Sequence, residues 1–374
     1  MSTQPQRLII AMMDGLGLPC LQASPMPFVK QMAQQGFFRE VRGVYPSVTN
    51  VNNVSIACGA WPAEHGISAN SYFDPEAGCA RYMNASGLIR TPTIFQRAAE
   101  WGVPSALLTS KRKTAELLGP GTDFCLAAEE ADPESVARYG PPPPIYSREI
   151  NYWLWAVALD LLQHRPDLGL IYVHITDYPM HAWGEDAPES QEHLAHLDDQ
   201  LRQAAELAPD AAILLTADHG MNFKMRSYDL EKVCAAAGTP VRFVLSPERD
   251  YYIVHHRNFT GCSWVWLRDP ADEGSVRRIL EALPGVEEVL TREKAAARYH
   301  SIPEHLGDLL VNGDRDTMFG VMDVEREDLP STYRAHGSMH EMDLPLLIHN
   351  YRETLPPPEY FRHNLDLTRF LFRS

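Results

Sequence analysis

The chain contains one apolar run that ends abruptly in a carboxylate, an imidazole and a glycine: Ala211-Ala-Ile-Leu-Leu-Thr-Ala-Asp218-His219-Gly220. A continuous apolar run of this length is typical of a strand buried on both faces of a parallel sheet. Open α/β sheets bind their ligands beyond the carboxyl ends of the strands. The run therefore predicts a central strand and places Asp218 and His219 on the floor of an active site.

Two other apolar runs end in the same way. Residues 8–12 lead to Asp14 and a glycine, and residues 170–175 lead to Asp177, with His181 four positions later. A single aspartate after a strand is usually a turn or a helix cap. Three aspartates at three strand ends, two of them paired with a histidine, instead indicate a shared site.

Composition limits what the protein can bind and where it acts. The 374 residues carry a formal net charge of -16, which argues against a general nucleic-acid binder because a phosphate backbone requires a surplus of Lys and Arg. A small anionic substrate in a local basic pocket remains compatible with this charge.

No apolar run approaches membrane-spanning length. The chain also shows no secretory leader, so a cytoplasmic location is expected, and a homodimer is one expectation for the assembly.

Two further segments carry candidate chemistry. A helix is predicted to begin near Thr49 or Asn50, and a hydroxyl at a helix N-terminus is either a cap or a nucleophile, the cap being the commoner case. A strand at residues 103–109 is followed by Lys111, Arg112 and Lys113. Three cations in a turn are usually a solvated surface. At the sheet edge where the aspartates gather, an anion site is an equally good interpretation.

The pattern of predicted secondary structure changes after residue 240. Short β-rich runs at 241–245, 251–255, 263–267 and 286–290 alternate with helical patterns at 275–283 and 292–299. We therefore predict an α/β core formed by residues 1–240 and 331–374, with a smaller α+β cap inserted at 241–330. His255 and His256 lie in this cap without a nearby aspartate, and a structural role is favoured for both. His65 is also assigned a structural role.

Six candidate metal ligands stand at strand or loop ends: Asp14, Asp177, His181, Asp218, His219 and His336. Carboxylates and imidazoles without thiolate suit zinc, and also manganese or iron. Six ligands are too many for one tetrahedral site. Two ions about 4 Å apart would use three ligands each and leave room for a nucleophile and a substrate oxygen, as in sites that catalyse displacement at phosphorus.

The ordered motifs resemble those of a known family. They are Asp14-Gly, Pro-Ser-Val-Thr49-Asn-Val-Asn-Asn, Thr-Asp177-Tyr-x-x-His181, Thr-Ala-Asp218-His219-Gly-Met, Tyr-Ile-Val-His-His and Arg-Ala-His336-Gly-Ser. Together they resemble the alkaline phosphatase superfamily, its nucleotide pyrophosphatase/phosphodiesterase branch, and most closely the phosphonoacetate hydrolases of that branch. The likeness runs over nearly the whole chain and implies an alkaline-phosphatase-like core with a mixed, mostly parallel sheet flanked by helices. One departure is Val51, where relatives often have proline.

The resemblance also implies roles for individual residues. One zinc would be held by Asp177, His181 and His336, and the other by Asp14, Asp218 and His219, with Thr49 as the nucleophile on the second metal. Asn70 would contact a phosphoryl oxygen of the substrate, and Lys111 and Lys113 would bind its carboxylate. Thr49 and His181 are also implied to contact the substrate. The implied reaction cleaves the C–P bond of phosphonoacetate, or of a close carboxylated phosphonate, to acetate and phosphate through a phospho-threonine. The alternatives are a nucleotide pyrophosphatase/phosphodiesterase, a manganese-dependent mutase of the superfamily and a non-catalytic anion binder.

Overall fold

The structure is a computed structural model that describes residues 6–251 and 255–373. Its strands, in chain order, are β1 (Leu8–Met12), β2 (Phe37–Arg42), β3 (Ser71–Asp74), β4 (Cys79–Tyr82), β5 (Ser105–Thr109), β6 (Phe124–Ala127), β7 (Leu170–His174), β8 (Ala212–Thr216), β9 (Asn222–Phe223), β10 (Arg226–Tyr228), β11 (Phe243–Leu245), β12 (Cys262–Trp266), β13 (Val286–Thr291), β14 (Leu309–Gly313), β15 (Thr317–Phe319), β16 (Arg326–Asp328), β17 (Arg334–Ala335) and β18 (Asp343–His349).

The α-helices of the described residues are α1 (Leu18–Ala23), α2 (Pro27–Gln35), α3 (Thr49–Cys58), α4 (Pro62–His65), α5 (Ile94–Glu100), α6 (Arg112–Leu118), α7 (Pro133–Tyr139), α8 (Glu149–His164), α9 (Tyr178–Ala182), α10 (Pro188–Leu207), α11 (Leu230–Ala236), α12 (Glu273–Glu281), α13 (Arg292–Tyr299) and α14 (Asp366–Arg369). None of these helices combines the length and apolar character needed to cross a bilayer.

A seven-stranded sheet in the order β2-β18-β8-β1-β7-β5-β6 forms the core. The four pairings among β8, β1, β7, β5 and β6 are parallel, and only β18 runs antiparallel to its two neighbours. Every residue of β1, β7 and β8 is buried, as their continuous apolar runs require. The predicted mixed, mostly parallel sheet flanked by helices is therefore confirmed.

The register of the sheet explains why the aspartates meet. Met12 at the end of β1 lies opposite His174 of β7 and Thr216 of β8, so the three strands end at the same level. Because parallel strands point the same way, the residues that follow them emerge at one edge of the sheet. Asp14, Asp177 and Asp218 follow these ends by two or three residues.

The cap region has its own antiparallel sheet, in the order β11-β12-β14-β13. Helix α12 packs on this sheet through Val276 and Leu280, which are fully buried. The same hydrophobic cluster includes Tyr228 and Val233, which precede residue 241. A cap over 241–330 agrees with the separate sheet, and its boundaries stay a prediction.

The last helix of the described residues is the short α14. The Asn364 side chain just before it donates to Asn52 and to the Ala217 carbonyl, and Phe372 just after it has a positive φ. Residues 252–254, in the middle of the β-rich run predicted at 251–255, lie outside the described residues.

Candidate active site

The ends of β1 and β8 bring together Asp14, Asp218 and His219. One ligand atom from each lies within 4.8 Å of the other two, and all three residues are buried. Asp218 Oδ1 accepts hydrogen bonds from the backbone N–H groups of Gly15 and His219, at 3.0 and 2.9 Å. Asp218 Oδ2 and both carboxylate oxygens of Asp14 have no hydrogen-bond partner among the described residues. Buried oxygens of this kind are suited to a cation.

A second group forms around Asp177. His181 lies one helical turn later on α9, with its Nε2 2.8 Å from Asp177 Oδ2. His336 Nε2 lies 3.9 Å from the same carboxylate oxygen, and its ring stacks on His219 at a centroid distance of 3.6 Å. The two groups are therefore adjacent, and all six ligands predicted from the sequence converge at one edge of the sheet.

The three histidines of these groups share one hydrogen-bond arrangement. Nδ1 lies 2.9 Å from the Arg334 carbonyl in His181, 2.9 Å from the Gly220 carbonyl in His219 and 2.8 Å from the Ser47 carbonyl in His336. A carbonyl oxygen only accepts, so Nδ1 carries a proton in each ring, and Nε2 is the nitrogen that faces the carboxylates. Metal-ligating histidines commonly have this second hydrogen bond, which fixes their tautomer and orientation.

The electrostatics of the two groups also favour a cation. Burial, followed by repulsion from Asp177 and Asp218, raises the pKa of Asp14 well above its usual range. Burial would raise the pKa of Asp177 too, but His181 and then Lys111 lower it well below its usual range. Burial and the neighbouring His219 lower the pKa of His336, which keeps that imidazole neutral. Concentrated carboxylates beside imidazole nitrogens form a donor set that fits divalent cations such as zinc.

Thr49 is the first residue of α3, as the sequence predicts, but it does not cap the helix. Val48 occupies the cap position without a side-chain hydrogen bond. The Thr49 hydroxyl instead donates to Nε2 of His219, at 3.1 Å, because the proton of that ring is on Nδ1. The commoner expectation of a capping hydroxyl is therefore wrong for Thr49. Its oxygen lies beside the group formed by Asp14, Asp218 and His219, called the Asp14 group below.

Thr49 opens into a small pocket that also contains the other predicted substrate contacts. Its lining residues are Thr49, Asn50, Asn53, Asn70, Lys111, Lys113, Thr114, Asp177, Glu248, Asp250, His255 and His256. Asn70 is buried and is held against the cap, where its Nδ2 donates to the Glu248 carbonyl at 3.2 Å.

The lysines that follow β5 line this pocket, so the solvated-turn interpretation is wrong for both. Lys113 is only 6% exposed and forms an ion pair with Asp250 of the cap. Lys111 is half-buried, and although its burial opposes a charge, the carboxylates of Asp177 and Asp14 raise its pKa. Arg112 points away from the pocket and pairs with Glu116 and Glu130 on the surface.

Four cap residues reach the site without having been predicted there: Glu248, Asp250, His255 and His256. The structural role expected for the two histidines did not anticipate their place in the pocket. Burial, followed by repulsion from Asp177 and Asp250, raises the pKa of Glu248 well above its usual range. In the sequence, only the adjacent histidines could have indicated that the cap contributes to the site. This segment lacks the aspartate at a strand end that identifies the other site residues.

Two other histidines have structural contacts. His65 is buried and bonded to Ser55 Oγ and to the Ile67 backbone N–H, in agreement with its expected structural role. His174 lies 3.5 Å from Asp14, but both its ring nitrogens form hydrogen bonds, one to Asn53 and one to Thr109.

Curated relatives match part of the chain. It is 25% identical over 231 residues to the bis(5'-adenosyl)-triphosphatase ENPP4 of Bos taurus, covering 59% of this chain and 48% of the relative. It is 28% identical over 224 residues to venom phosphodiesterase 2 of Crotalus adamanteus, covering 57% of this chain and 26% of the relative. The chain thus spans half or less of the length of these relatives.

Solved structures match almost the whole chain. Phosphonoacetate hydrolase from Sinorhizobium meliloti 1021, in complex with phosphonoacetate, has a TM-score of 0.88 and 29% identity, covering 98% of this chain and 95% of that one. Its complex with phosphonoformate gives the same TM-score at 28% identity. Two structures of murine ectonucleotide pyrophosphatase/phosphodiesterase 5, at 17% identity and TM-scores of 0.69 and 0.68, share the fold.

These likenesses confirm the alkaline-phosphatase-like fold and the resemblance to phosphonoacetate hydrolases, and they agree with the prediction of a hydrolytic enzyme. The family match runs over residues 8–340, from the start of β1 to just before β18, and so includes both groups of predicted ligands, Thr49 and the cap. The chain belongs to the type I phosphodiesterase / nucleotide pyrophosphatase family.

Proposed function

We propose that the protein hydrolyses the C–P bond of phosphonoacetate, or of a close carboxylated phosphonate, to acetate and phosphate. One observation carries the proposal: Thr49, beside the Asp14 group, opens into the same pocket as Lys111 and Lys113. This juxtaposition provides a nucleophile for phosphorus and cations for a carboxylate within one small space. The likeness over 98% of the chain to a hydrolase solved with phosphonoacetate supports it.

The cofactor in this proposal is a pair of zinc ions, with manganese or iron as alternatives. Asp177, His181 and His336 would hold one ion, and Asp14, Asp218, His219 and Thr49 would contact the other. When bound, such ions lower the pKa of a coordinated hydroxyl and neutralise charge on a phosphoryl group. The unpartnered oxygens of Asp14 and Asp218 support this assignment.

Thr49 would act as the nucleophile. Its position at the N-terminus of α3 favours an alkoxide, because unpaired backbone N–H groups and the helix dipole stabilise negative charge there. The Thr49 oxygen forms a bond to phosphorus while the P–C bond breaks, and the electron pair of that bond leaves with the carbon. Water then cleaves the phospho-threonine, which releases phosphate and restores the hydroxyl. Asn70 would donate to a non-bridging phosphoryl oxygen.

The lysines would stabilise the negative charge that develops on the leaving group. A carbanion is a poor leaving group, but an adjacent carboxylate allows it to leave as an enolate, which gains a proton to become acetate. Lys111 and Lys113 would bind that carboxylate and stabilise the charge as it develops. Both lysines lie in a largely buried setting, where such charge stabilisation is stronger than in water.

The alternative is a nucleotide pyrophosphatase/phosphodiesterase with the same ligands and nucleophile, which the curated relatives support. The two lysines beside Thr49 support the phosphonate instead, because a nucleotide ester brings no carboxylate to them. Tyr178 and Tyr333 line an adjoining pocket that shares His255 and His256, where a nucleotide base would find an aromatic face.

The two functions differ in their products. Purified zinc-loaded protein should release inorganic phosphate and acetate from phosphonoacetate, and a nitrophenyl nucleotide ester should be a poor substrate by kcat/KM. Release of a nucleoside monophosphate, without phosphate from phosphonoacetate, would instead identify the phosphodiesterase. Metal analysis and an assay for phosphosugar isomerisation test the alternative of a manganese-dependent mutase. A small substrate is part of this proposal, whereas the cytoplasmic location and the homodimer stay predictions.

A further inference from the structure

His256 of the cap has the same hydrogen-bond arrangement as the three histidines of the proposed metal groups. Its Nδ1 lies 2.7 Å from the Arg257 carbonyl, which can only accept. Nδ1 therefore carries the proton, and the neutral ring presents an unprotonated Nε2. A histidine in the catalytic cleft with this tautomer is prepared to donate an electron pair to a metal.

The position of His256 brings its ring close to one group of ligands. Its ring stacks on His181 with the centroids 4.0 Å apart. One ring nitrogen of His256 lies within 4.8 Å of ligand atoms of His181 and His255. In a second group, a ring nitrogen of His256 lies within 4.8 Å of ligand atoms of Glu248 and His336. His256 is thus close to two of the three residues that would hold the first zinc.

The ligand count leaves a position for it. Asp177, His181 and His336 supply three ligands, whereas zinc prefers four, and a catalytic zinc keeps its fourth position for water or substrate. We propose that His256 occupies this fourth position when the pocket holds no substrate, and that a phosphonate or phosphate oxygen displaces it. The inference rests on the proposed metal site and adds a ligand from the cap to it.

This ligation would connect the cap to the core. His256 belongs to the cap, whereas Asp177 and His181 follow β7 of the core and His336 follows β17. A bond from His256 to the same ion would hold the cap against the sheet edge in the resting enzyme. Substrate binding would then release that connection by exchanging a nitrogen ligand for an oxygen ligand, without a change in the charge of the imidazole.

The test measures metal affinity by competition with a zinc chelator. The variants are His256→Ala and, as a matched control from the same segment, His255→Ala. His255 is a suitable control because neither of its ring nitrogens has a described hydrogen-bond partner, so no such bond fixes its tautomer. We expect His256→Ala to weaken one of the two zinc sites by about tenfold or more, as loss of a metal contact does. His255→Ala should lose less affinity than His256→Ala, because the His255 ring meets His181 edge-on with the centroids 5.3 Å apart and does not stack on it.

Inorganic phosphate provides the second arm of the test. At saturating phosphate the imidazole is already displaced, so the affinity gap between wild type and His256→Ala should shrink. Wild-type affinity in His256→Ala, or an equal loss in His255→Ala, overturns the inference. Circular dichroism checks that each variant is folded.

An Asp177→Asn variant separates this outcome from failure of the proposed function. If the wild type binds zinc and Asp177→Asn loses one ion, the metal site stands, whatever His256 does. If Asp177→Asn binds as much zinc as the wild type, the metal assignment itself fails.

Discussion

Lys113 of the core and Asp250 of the cap form an ion pair in which the side chains are only 7% and 3% exposed. The pair lies in the pocket that contains Thr49 and Lys111. Asp250 thus places a carboxylate where the proposed substrate would bring its own. The charge of the proposed substrate subsite is therefore set jointly by the core and the cap.

The first prediction concerns the two lysines. Lys111→Ala and Lys113→Ala, alone and together, should lower kcat/KM for phosphonoacetate far more than for a nitrophenyl phosphate ester, which has no carboxylate. Loss of a charged hydrogen-bond partner in a buried site is worth about 2–4 kcal/mol, or roughly 30- to 1000-fold in rate. Steady-state assays on both substrates provide the comparison. Equal losses on the two substrates would refute a carboxylate-binding role.

The second prediction concerns Asp250. If its carboxylate competes with that of the substrate for Lys113, Asp250→Asn should lower KM for phosphonoacetate, by roughly 3- to 10-fold, which corresponds to about 1 kcal/mol. The amide keeps the shape of the side chain and removes its charge. KM should be measured alongside a thermal unfolding curve, because an unpaired buried lysine also reduces stability. A raised KM in a stable variant would show that Asp250 instead orients Lys113.

The third prediction separates the nucleophile from the metal site. Thr49→Ala should reduce turnover by at least about 1000-fold, since it removes the attacking atom. Zinc content should stay at the wild-type level, because Asp14, Asp218 and His219 remain. Thr49→Ser, which keeps a hydroxyl, is the matched control and should retain measurable turnover. Phosphate release together with elemental analysis makes the test, and full turnover by Thr49→Ala would contradict the proposed role.

The strand ends were predictable from sequence because each apolar run stops at a polar residue. Burial of β1, β7 and β8 on both faces requires continuous apolar side chains, so the first carboxylate after each run marks the sheet edge. The pattern of apolar runs alone is therefore enough to locate Asp14, Asp177 and Asp218. The family resemblance adds Thr49, Asn70 and the lysine pair.

The cap contribution was not predictable in the same way. Glu248 and Asp250 are charged residues between two short strands, a pattern that usually marks a solvated turn. Their burial depends on how the cap packs on the core, for example through the Asn70 backbone N–H, which donates to the Pro247 carbonyl at 2.9 Å. Contacts between distant segments of this kind leave no local periodicity. The partner of Lys113 could therefore be found only in three dimensions.

The last prediction concerns stability at low pH and the buried His65. Burial lowers its pKa to about 3, whereas the unfolded chain should have a value of about 6.5. His65 Nδ1 accepts from the Ile67 backbone N–H at 3.1 Å, and Nε2 lies 2.8 Å from Ser55 Oγ, so the fold requires the neutral ring. Below pH 6.5 the unfolded chain binds a proton that the folded chain does not. Above pH 6.5 the ring is neutral in both states, so His65 does not change the unfolding free energy with pH. Below pH 6.5 it lowers the unfolding free energy by up to about 1.4 kcal/mol per pH unit as the pH drops toward 3.

Denaturant titrations between pH 7 and pH 4 should therefore show a steeper loss of unfolding free energy in the wild type than in His65→Gln. Glutamine can keep one donor and one acceptor but does not titrate in this range, so the difference between the two slopes isolates this histidine from the other buried ones. A chelator should be present at every pH, because protonation of the proposed metal ligands would otherwise add its own dependence. Parallel curves for the two proteins would mean that His65 is protonated in the folded state without penalty, and that its hydrogen bond from Ile67 does not hold the ring neutral.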